Sequence, residues 1–256
     1  IKGDIITPSQ VDYLSSIGIV FSGSKDKEHY LFIPEELKEI FKNINNKSFK
    51  KKVLLNNETV RLATGILFYY GYLDYEQLYE MVTRIINKKE ISLDRFVGVL
   101  INGSCWQDEI ITLEIGAQHI NVVNPEELIE TQLEWSKEEF RPLSYEEIYQ
   151  AGQPGYVVKN QQYLQMEKFL AEKLNVSIEE VNGFMQDIII MIMNEETSAF
   201  IFDYMQDMIA IPNQKIAKQL SLLLLELYNS VNIFKLKGYT LNELDKMMGK
   251  TAKGLV

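Results

Sequence analysis

Residues 57–74 decide the fold, and they read NETVRLATGILFYYGYLD. The apolar residues of 57–70 recur at helical spacing, which predicts an amphipathic helix over that range. Gly71 follows directly, and a glycine just past the last apolar position is a common helix end. Residues 72–74 then predict the start of another helix, whose apolar residues at 78, 81, 82, 85 and 86 share one face.

The segment that follows predicts a third helix and a hairpin. Ser92 stands where it can cap a helix over residues 93–101. Residues 108–114 alternate and are rich in β-branched side chains, which predicts a strand, then a turn at Gly116 and a second strand through Ile120 and Val122. Three helices followed by a two-stranded wing are the order of a winged-helix module.

A shorter copy of the same pattern precedes it. An apolar stretch at 11–20, a polar turn at 22–28 and a strand at 29–33 run into Pro-Glu-Glu-Leu at 34–37, and the same four residues recur at 125–128. Proline in the first turn followed by two acids favours a helix start. Because this is a common helix opening, a chance match is the alternative to a repeat.

The chain changes character near residue 135. Residues 135–154 are acidic and broken by Pro142, Gly152 and Pro154, so we expect a connector. Beyond it, helices are predicted over 161–174, 177–193, 197–209 and 213–230, with a short last helix from residue 240. Ser177 and Thr240 each begin a Ser/Thr-x-x-Glu capping box. The apolar faces of these helices predict a bundle.

The sequence therefore predicts a mainly α (α+β) protein with one or two winged-helix modules followed by an all-α helical bundle. The predicted domains are a partial winged-helix-like module with a basic linker at 1–52, a winged-helix-like domain at 53–135 and the bundle at 136–256.

Composition indicates a soluble globular chain of 256 residues, 46% hydrophobic and 24% charged, with a net charge of -10. A single cysteine excludes an internal disulfide framework and a Cys-rich zinc site. No run approaches the ~18–20 apolar residues of a membrane span, and the first residues lack the apolar core of a signal peptide. We therefore predict a cytoplasmic protein without a membrane partner.

Few residues are available for catalysis. His29 and His119 are far apart, and no closely spaced ligand pair suits zinc. Cys105 with His119 is the one arrangement that resembles a nucleophile and its base, with Asn102 or Asn121 to orient the ring. A small thiol beside Trp106 in the predicted turn is the alternative. Phosphate-binding glycine loops are absent from the sequence. We therefore predict that the protein has no cofactor and no metal and is not an enzyme.

Nucleic-acid contact is the chemistry suggested by the basic residues. Five lysines fall within eleven residues and, with Arg95, form the candidate contacts: Lys42, Lys47, Lys50, Lys51 and Lys52. A solvated linker is the alternative. The net charge, together with Asp94 in the third helix and Asp108 and Glu109 beside the wing, argues against a DNA reader.

Protein binding is the remaining class. Tyrosine is favoured at interfaces because it buries area and keeps a polar tip, so the candidate partner surface is Tyr69, Tyr72, Tyr75 and Tyr79. Core packing is the alternative for about half of them. We therefore predict a non-enzymatic scaffold or regulator built on winged-helix modules, with a nucleic-acid-binding regulator as the alternative. The sequence leaves open the identity of the partner and whether the protein forms a homo-oligomer.

One segment carries a family resemblance. Residues 227–244, LYNSVNIFKLKGYTLNEL, resemble uncharacterised bacterial proteins, mainly from Firmicutes, many of which end in a SEC-C zinc-binding tail. The resemblance implies a bacterial protein. The last residues here, 249–256, read GKTAKGLV without a cysteine or histidine pair, so it implies no zinc ligand in this sequence.

Overall fold

A computed structural model describes residues 6–25, 28–86, 91–134, 139–174, 176–247 and 249. Its helices are α1 (Pro8–Ser16), α2 (Glu35–Ile44), α3 (Lys47–Tyr70), α4 (Tyr75–Ile86), α5 (Leu93–Ser104), α6 (Pro125–Glu134), α7 (Tyr145–Ala151), α8 (Gln161–Lys173), α9 (Ile178–Met193), α10 (Ser198–Met208), α11 (Gln214–Tyr228) and α12 (Leu241–Met247). Its strands are β1 (Phe21–Lys25), β2 (Glu28–Phe32), β3 (Tyr72–Asp74), β4 (Ile110–Thr112) and β5 (Gly116–His119). The prediction of a mainly helical chain with small sheets is confirmed.

The central helix α3 is longer than its apolar pattern predicts. It ends at Gly71 as expected, where φ is 77°, and almost every residue from Thr59 onward is buried. It begins ten residues earlier, at Lys47, because the Asn46 side chain accepts a hydrogen bond from the backbone of Phe49 and caps it. These first turns have no buried face, so periodicity does not reveal them. The basic segment is thus helical rather than a linker, and the predicted boundary after residue 52 falls inside α3.

A short strand stands where the sequence predicts a helix start. In β3, Tyr72 pairs with Gln118 and Leu73 with Ala117, which gives a three-stranded antiparallel sheet in the order β3-β5-β4. Gly116, predicted as a turn, begins β5, where it pairs with Asp74. A side chain at this position would strike the carbonyl of Leu73, so only glycine fits. The predicted strand residues Ile120 and Val122 lie beyond β5. Strands β3 and β4 have three residues each, which is too short for the alternation of apolar and polar residues by which a sequence predicts a strand.

Helices α3, α4 and α5 pack together with this sheet. Ser92 caps α5 as predicted, since its side chain accepts a hydrogen bond from the backbone of Arg95. The α5 side chains that enter the core are Phe96 and Leu100, both fully buried. On the neighbouring face, Gly103 stands so close to Val60 of α3 that an added Cβ would overlap it.

The first elements repeat an order seen later in the chain. Helix α1, the β1–β2 hairpin and α2 follow each other as α5, the β4–β5 hairpin and α6 do. Residues 22–25, predicted as part of a turn, are instead paired in β1. Of the side chains described between residues 6 and 54, none is buried. Tyr13 and Gln10 of α1 attach this part to the end of α5 through Asn102 and Trp106.

The predicted connector contains a packed helix. Helix α7 starts with a capping box at Ser144 and lies directly against α3. Gly65 of α3 faces the backbone carbonyl of Ile148, and Gly152 faces that of Arg61, so neither position has room for a Cβ. Only glycines allow the two backbones to approach this closely, and the sequence alone does not pair them.

The C-terminal helices confirm the predicted helical pattern. Helix α9 starts at the capping box of Ser177, and Thr240 and Glu243 exchange the hydrogen bonds of the second box. The turn after α11 folds back onto α3, where Phe234 covers Gly71 and Asn232 donates to the carbonyl of Tyr69.

The domain division after residue 52 stays a prediction. The boundary predicted after residue 135 lies outside the described residues, and the buried apolar residues form one continuous cluster from Val60 to Phe234. The predicted segments 53–135 and 136–256 therefore share a core.

Two glycine substitutions test the α3–α7 contact. We expect Gly65→Ala to lower the free energy of unfolding by about 3 kcal/mol, because the backbone carbonyl it strikes cannot move aside cheaply. Gly183→Ala in α9 is the control, since it adds the same methyl group in open space and should raise stability by about 0.5–1 kcal/mol. Urea unfolding measures both, and equal effects of the two changes would contradict the contact.

Candidate functional site

The four tyrosines predicted as a partner surface belong to the core. Tyr69 and Tyr72 are buried, and burial raises the pKa of both. Tyr75 and Tyr79 are half-buried, and their hydroxyls donate to the carbonyls of Leu113 and Ile91. The prediction is corrected here for Tyr69, Tyr72 and Tyr79, which lie in the core or pack against it, whereas Tyr75 packs against the core and also lines a surface groove.

The five predicted nucleic-acid lysines are exposed at the end of α2 and in the first turns of α3. At about 100° per residue, Lys47, Lys50 and Lys51 share an arc of about 100°, and Lys52 lies about 100° beyond it. They therefore surround the helix more than they form one stripe. Arg95 stands apart on α5, beside α1 and α3. No described carboxylate forms an ion pair with these lysines.

The candidate nucleophile and base are in opposite environments. Cys105 is exposed just after α5, whereas His119 in β5 is only 4% exposed. The imidazole stands edge-on to Phe68, with ring centroids 5.4 Å apart, and its Nδ1 accepts a hydrogen bond from the backbone of Asn121. Burial lowers the pKa of His119 to about 4. His119 is therefore a neutral core residue at pH 7.

The remaining catalytic candidates either form hydrogen bonds elsewhere or lie on another element. Asn102, expected to orient the imidazole, accepts a hydrogen bond from Tyr13 and donates to the carbonyl of Gly98. His29 is exposed on β2. Throughout the described ranges, no group of three His, Cys, Asp or Glu side chains is placed to hold a metal ion.

An open groove of about 680 Å³ runs along the outer side of α5, and we name it the α5 groove. It is lined by Asp74, Tyr75, Glu76, Leu93, Asp94, Val97, Gly98, Ile101 and Ile115. Leu93, Val97 and Ile101 follow each other at four-residue spacing and therefore form one row on the helix. Ile101 is 46% exposed, and Ile115, in the turn between β4 and β5, is 66% exposed.

The rim of the α5 groove is acidic. Asp74, Glu76 and Asp94 supply three carboxylates, and no lining residue is a cation. Two rim residues are held in place: the Tyr75 hydroxyl donates to the carbonyl of Leu113, and the Asp74 carboxylate accepts from the backbone of Gln77. The groove thus combines an apolar floor with fixed negative charge.

Gly98 leaves the middle of α5 bare. A Cβ added there would meet nothing within 4 Å, so the packing of this chain does not require a glycine. In a helix interior, glycine costs about 0.5–1 kcal/mol relative to alanine. The backbone of α5 therefore carries no side chain at this position of the helix surface.

A second groove, of about 810 Å³, lies on the opposite side of α5 and holds Arg95. It is bounded by α1, α3 and α5, and its polar groups are partly used within the chain. Tyr13 donates to Asn102, and Gln10 donates to the carbonyl of Trp106. This groove is therefore a seam between α1 and the rest of the structure.

Sequence reasoning missed the α5 groove, although one signal was present. Six of the nine residues from 93 to 101 are apolar, which is more than the inward face of a helix needs. Phe96 and Leu100 are fully buried, whereas Leu93 and Val97 are half-buried and Ile101 is exposed, so this second apolar row reaches the surface. No local signal in the sequence joins the turn residue Ile115 to this row.

No family model, no curated protein and no solved structure matches the chain. The resemblance of residues 227–244 to Firmicutes proteins therefore stays a prediction. None of the helices in the described part of the chain combines the length and the hydropathy that crossing a membrane requires.

The buried imidazole predicts a pH dependence of stability. The pKa of His119 is about 4 in the folded state against 6.5 when unfolded, so the unfolded chain binds more protons between these values and stability falls as pH falls. We expect His119 to account for a loss of about 2 kcal/mol between pH 7 and pH 5. His119→Gln should remove that part of the slope in urea unfolding.

Glu127 and Glu180 add little to the slope in this window. A hydrogen bond from Lys235 lowers the pKa of Glu127, and one from Ser177 lowers that of Glu180, so both stay ionised above pH 5. An unchanged slope in the His119→Gln variant would show that folding does not lower the pKa of the imidazole.

Proposed function

We propose that residues 47–119 are a winged-helix module that binds a protein partner through the α5 groove. The order α3, β3, α4, α5, β4 and β5, with the sheet order β3-β5-β4, supports the winged-helix assignment. In helix-turn-helix proteins the recognition helix is the contact element. Here α5 and the β4–β5 turn occupy that position.

The composition of the α5 groove carries the choice of partner. A nucleic-acid surface needs cations to neutralise phosphates and polar side chains to read bases. The groove has an apolar row on its floor and three carboxylates on its rim, so it repels phosphate. Apolar side chains flanked by lysine or arginine match it, because complementary charge steers association while the apolar core provides affinity. The proposed partner is therefore a basic amphipathic segment of a protein.

Selection from a displayed peptide library tests this proposal. We expect the purified protein to enrich helical peptides with apolar residues three or four positions apart and lysine or arginine beside them. Ile101→Glu and Ile115→Glu each put a fourth negative charge in the groove, at a position that is exposed in the free protein. A bound peptide would cover the new carboxylate with apolar side chains. Each substitution should therefore reduce peptide affinity about tenfold or more, since a buried unpaired charge is costly.

The matched control for these variants is Leu222→Glu, which changes an exposed apolar residue of α11 in the same way. It should leave peptide affinity unchanged. Peptides that bind the Ile101→Glu and Ile115→Glu proteins as well as the unchanged protein do not use the groove, and that result would overturn the proposal.

A second candidate function is nucleic-acid binding through the lysines. It is favoured by one observation, namely that the five side chains are exposed and have no described carboxylate partner. Their spread around α3 and the net charge of -10 predict weak, sequence-independent contact that disappears as salt rises from about 0.05 to 0.2 M.

Titration of duplex and single-stranded DNA at these two salt concentrations measures this contact. Replacing Lys50, Lys51 and Lys52 with glutamate should abolish it, and Ile101→Glu should leave it unchanged. Binding that survives high salt and is lost in Arg95→Ala would instead make nucleic acid the ligand of α5 and contradict the protein-binding proposal.

A further inference from the structure

The first fifth of the chain exposes an unusual share of apolar surface. Among the described residues, 13 of the 26 exposed large apolar side chains lie between residues 6 and 54. Within this part, residues 35–54, which are α2 and the first two turns of α3, form what we name the basic arm. Its exposed apolar residues include Ile40 at 53%, Phe41 at 51% and Leu54 at 69%.

The basic arm has little support from its own chain. Phe41 packs edge-on against Phe49, with ring centroids 6.1 Å apart, so α2 folds back on the start of α3. Leu37 and Phe49 are half-buried, and all the remaining residues of 35–53 are exposed. Contiguous apolar surface of this kind marks an interaction site in a soluble protein.

The basic arm and the α5 groove are complementary. The arm carries apolar residues of α2 beside six lysines and three glutamates, an excess of three positive charges, and the groove carries an apolar row beside three carboxylates. This is the chemistry proposed above for the partner of the groove. No residue of 35–54 lines the groove of its own chain, so the two complementary surfaces are separate in one copy.

We infer that the partner is a second copy of this chain, and that the basic arm of each copy occupies the α5 groove of the other. The inference rests on the proposed function of the groove. In a two-fold dimer the contact occurs twice, so each copy gives one arm and one groove. The arm spans 20 residues and the groove is lined by nine, which together match the roughly 20–30 residues a side of a standard interface.

Charge reversal in the full-length chain tests the inference by sedimentation velocity over a range of protein concentrations. The unchanged protein should be a dimer that weakens as salt rises, because part of the contact is electrostatic. Reversing the arm with Lys50→Glu and Lys51→Glu, or the groove with Glu76→Lys and Asp94→Lys, should raise the dimer Kd about tenfold or more.

A chain that carries all four reversals should recover the dimer, since the charges are again opposite. This recovery separates lost docking from lost folding, because the combined protein contains every substitution that could unfold it. Lys215→Glu with Lys218→Glu is the control: both lysines are exposed on α11, and the same change in net charge there should leave the Kd unaltered.

Two results would overturn the inference. One is a monomer at every concentration. The other is a dimer that the groove reversal does not weaken, since the arm would then dock elsewhere. Either result can be told apart from failure of the proposed function: library peptides that lose affinity in Ile101→Glu would still show a protein-binding groove, whereas their absence would remove the groove as well.

Discussion

Close contact between the backbones of α3 and α7 sets the position of the rest of the structure. Gly65 lies on the carbonyl of Ile148, and Gly152 lies on that of Arg61. With α7 on one side, α4 and α5 on another and the turn after α11 over Gly71, the C-terminal half of α3 becomes the axis of a single core. Arginine reinforces the crossing, because the Arg61 guanidinium stacks 3.4 Å from the ring centre of Tyr149.

Helix α5 shows how this core leads to a candidate function. Phe96 and Leu100 are fully buried and Leu93 and Val97 are half-buried against the core, whereas Ile101 is exposed, so the row of Leu93, Val97 and Ile101 lines the α5 groove at the surface. In the proposed winged-helix module this groove is the contact surface. The α5 groove has an apolar floor and an acidic rim, so the proposed module is better suited to a basic, apolar segment of protein than to nucleic acid.

The sequence predicted most of the local structure and little of the long-range structure. Helix ends with a clear chemical signal, such as Gly71, Ser92 and Ser177, are where they were expected. Strand β3 and helix α7 were missed, because a three-residue strand shows no period and α7 lies among prolines and glycines that are typical of a connector. The tyrosines were assigned to a surface because composition alone does not tell which side of a helix is covered.

By itself, the sequence determined the helical content, the caps, the separation of a basic segment from an acidic remainder, and the shortage of residues for metal or nucleophilic chemistry. These follow from local propensity and from composition, which need no knowledge of distant contacts. Only the tertiary structure decided that Tyr69 is buried and Ile101 is open, and that residues 35–54 have no core of their own. Burial is a property of two surfaces far apart in the chain, so it appears only when the chain has folded.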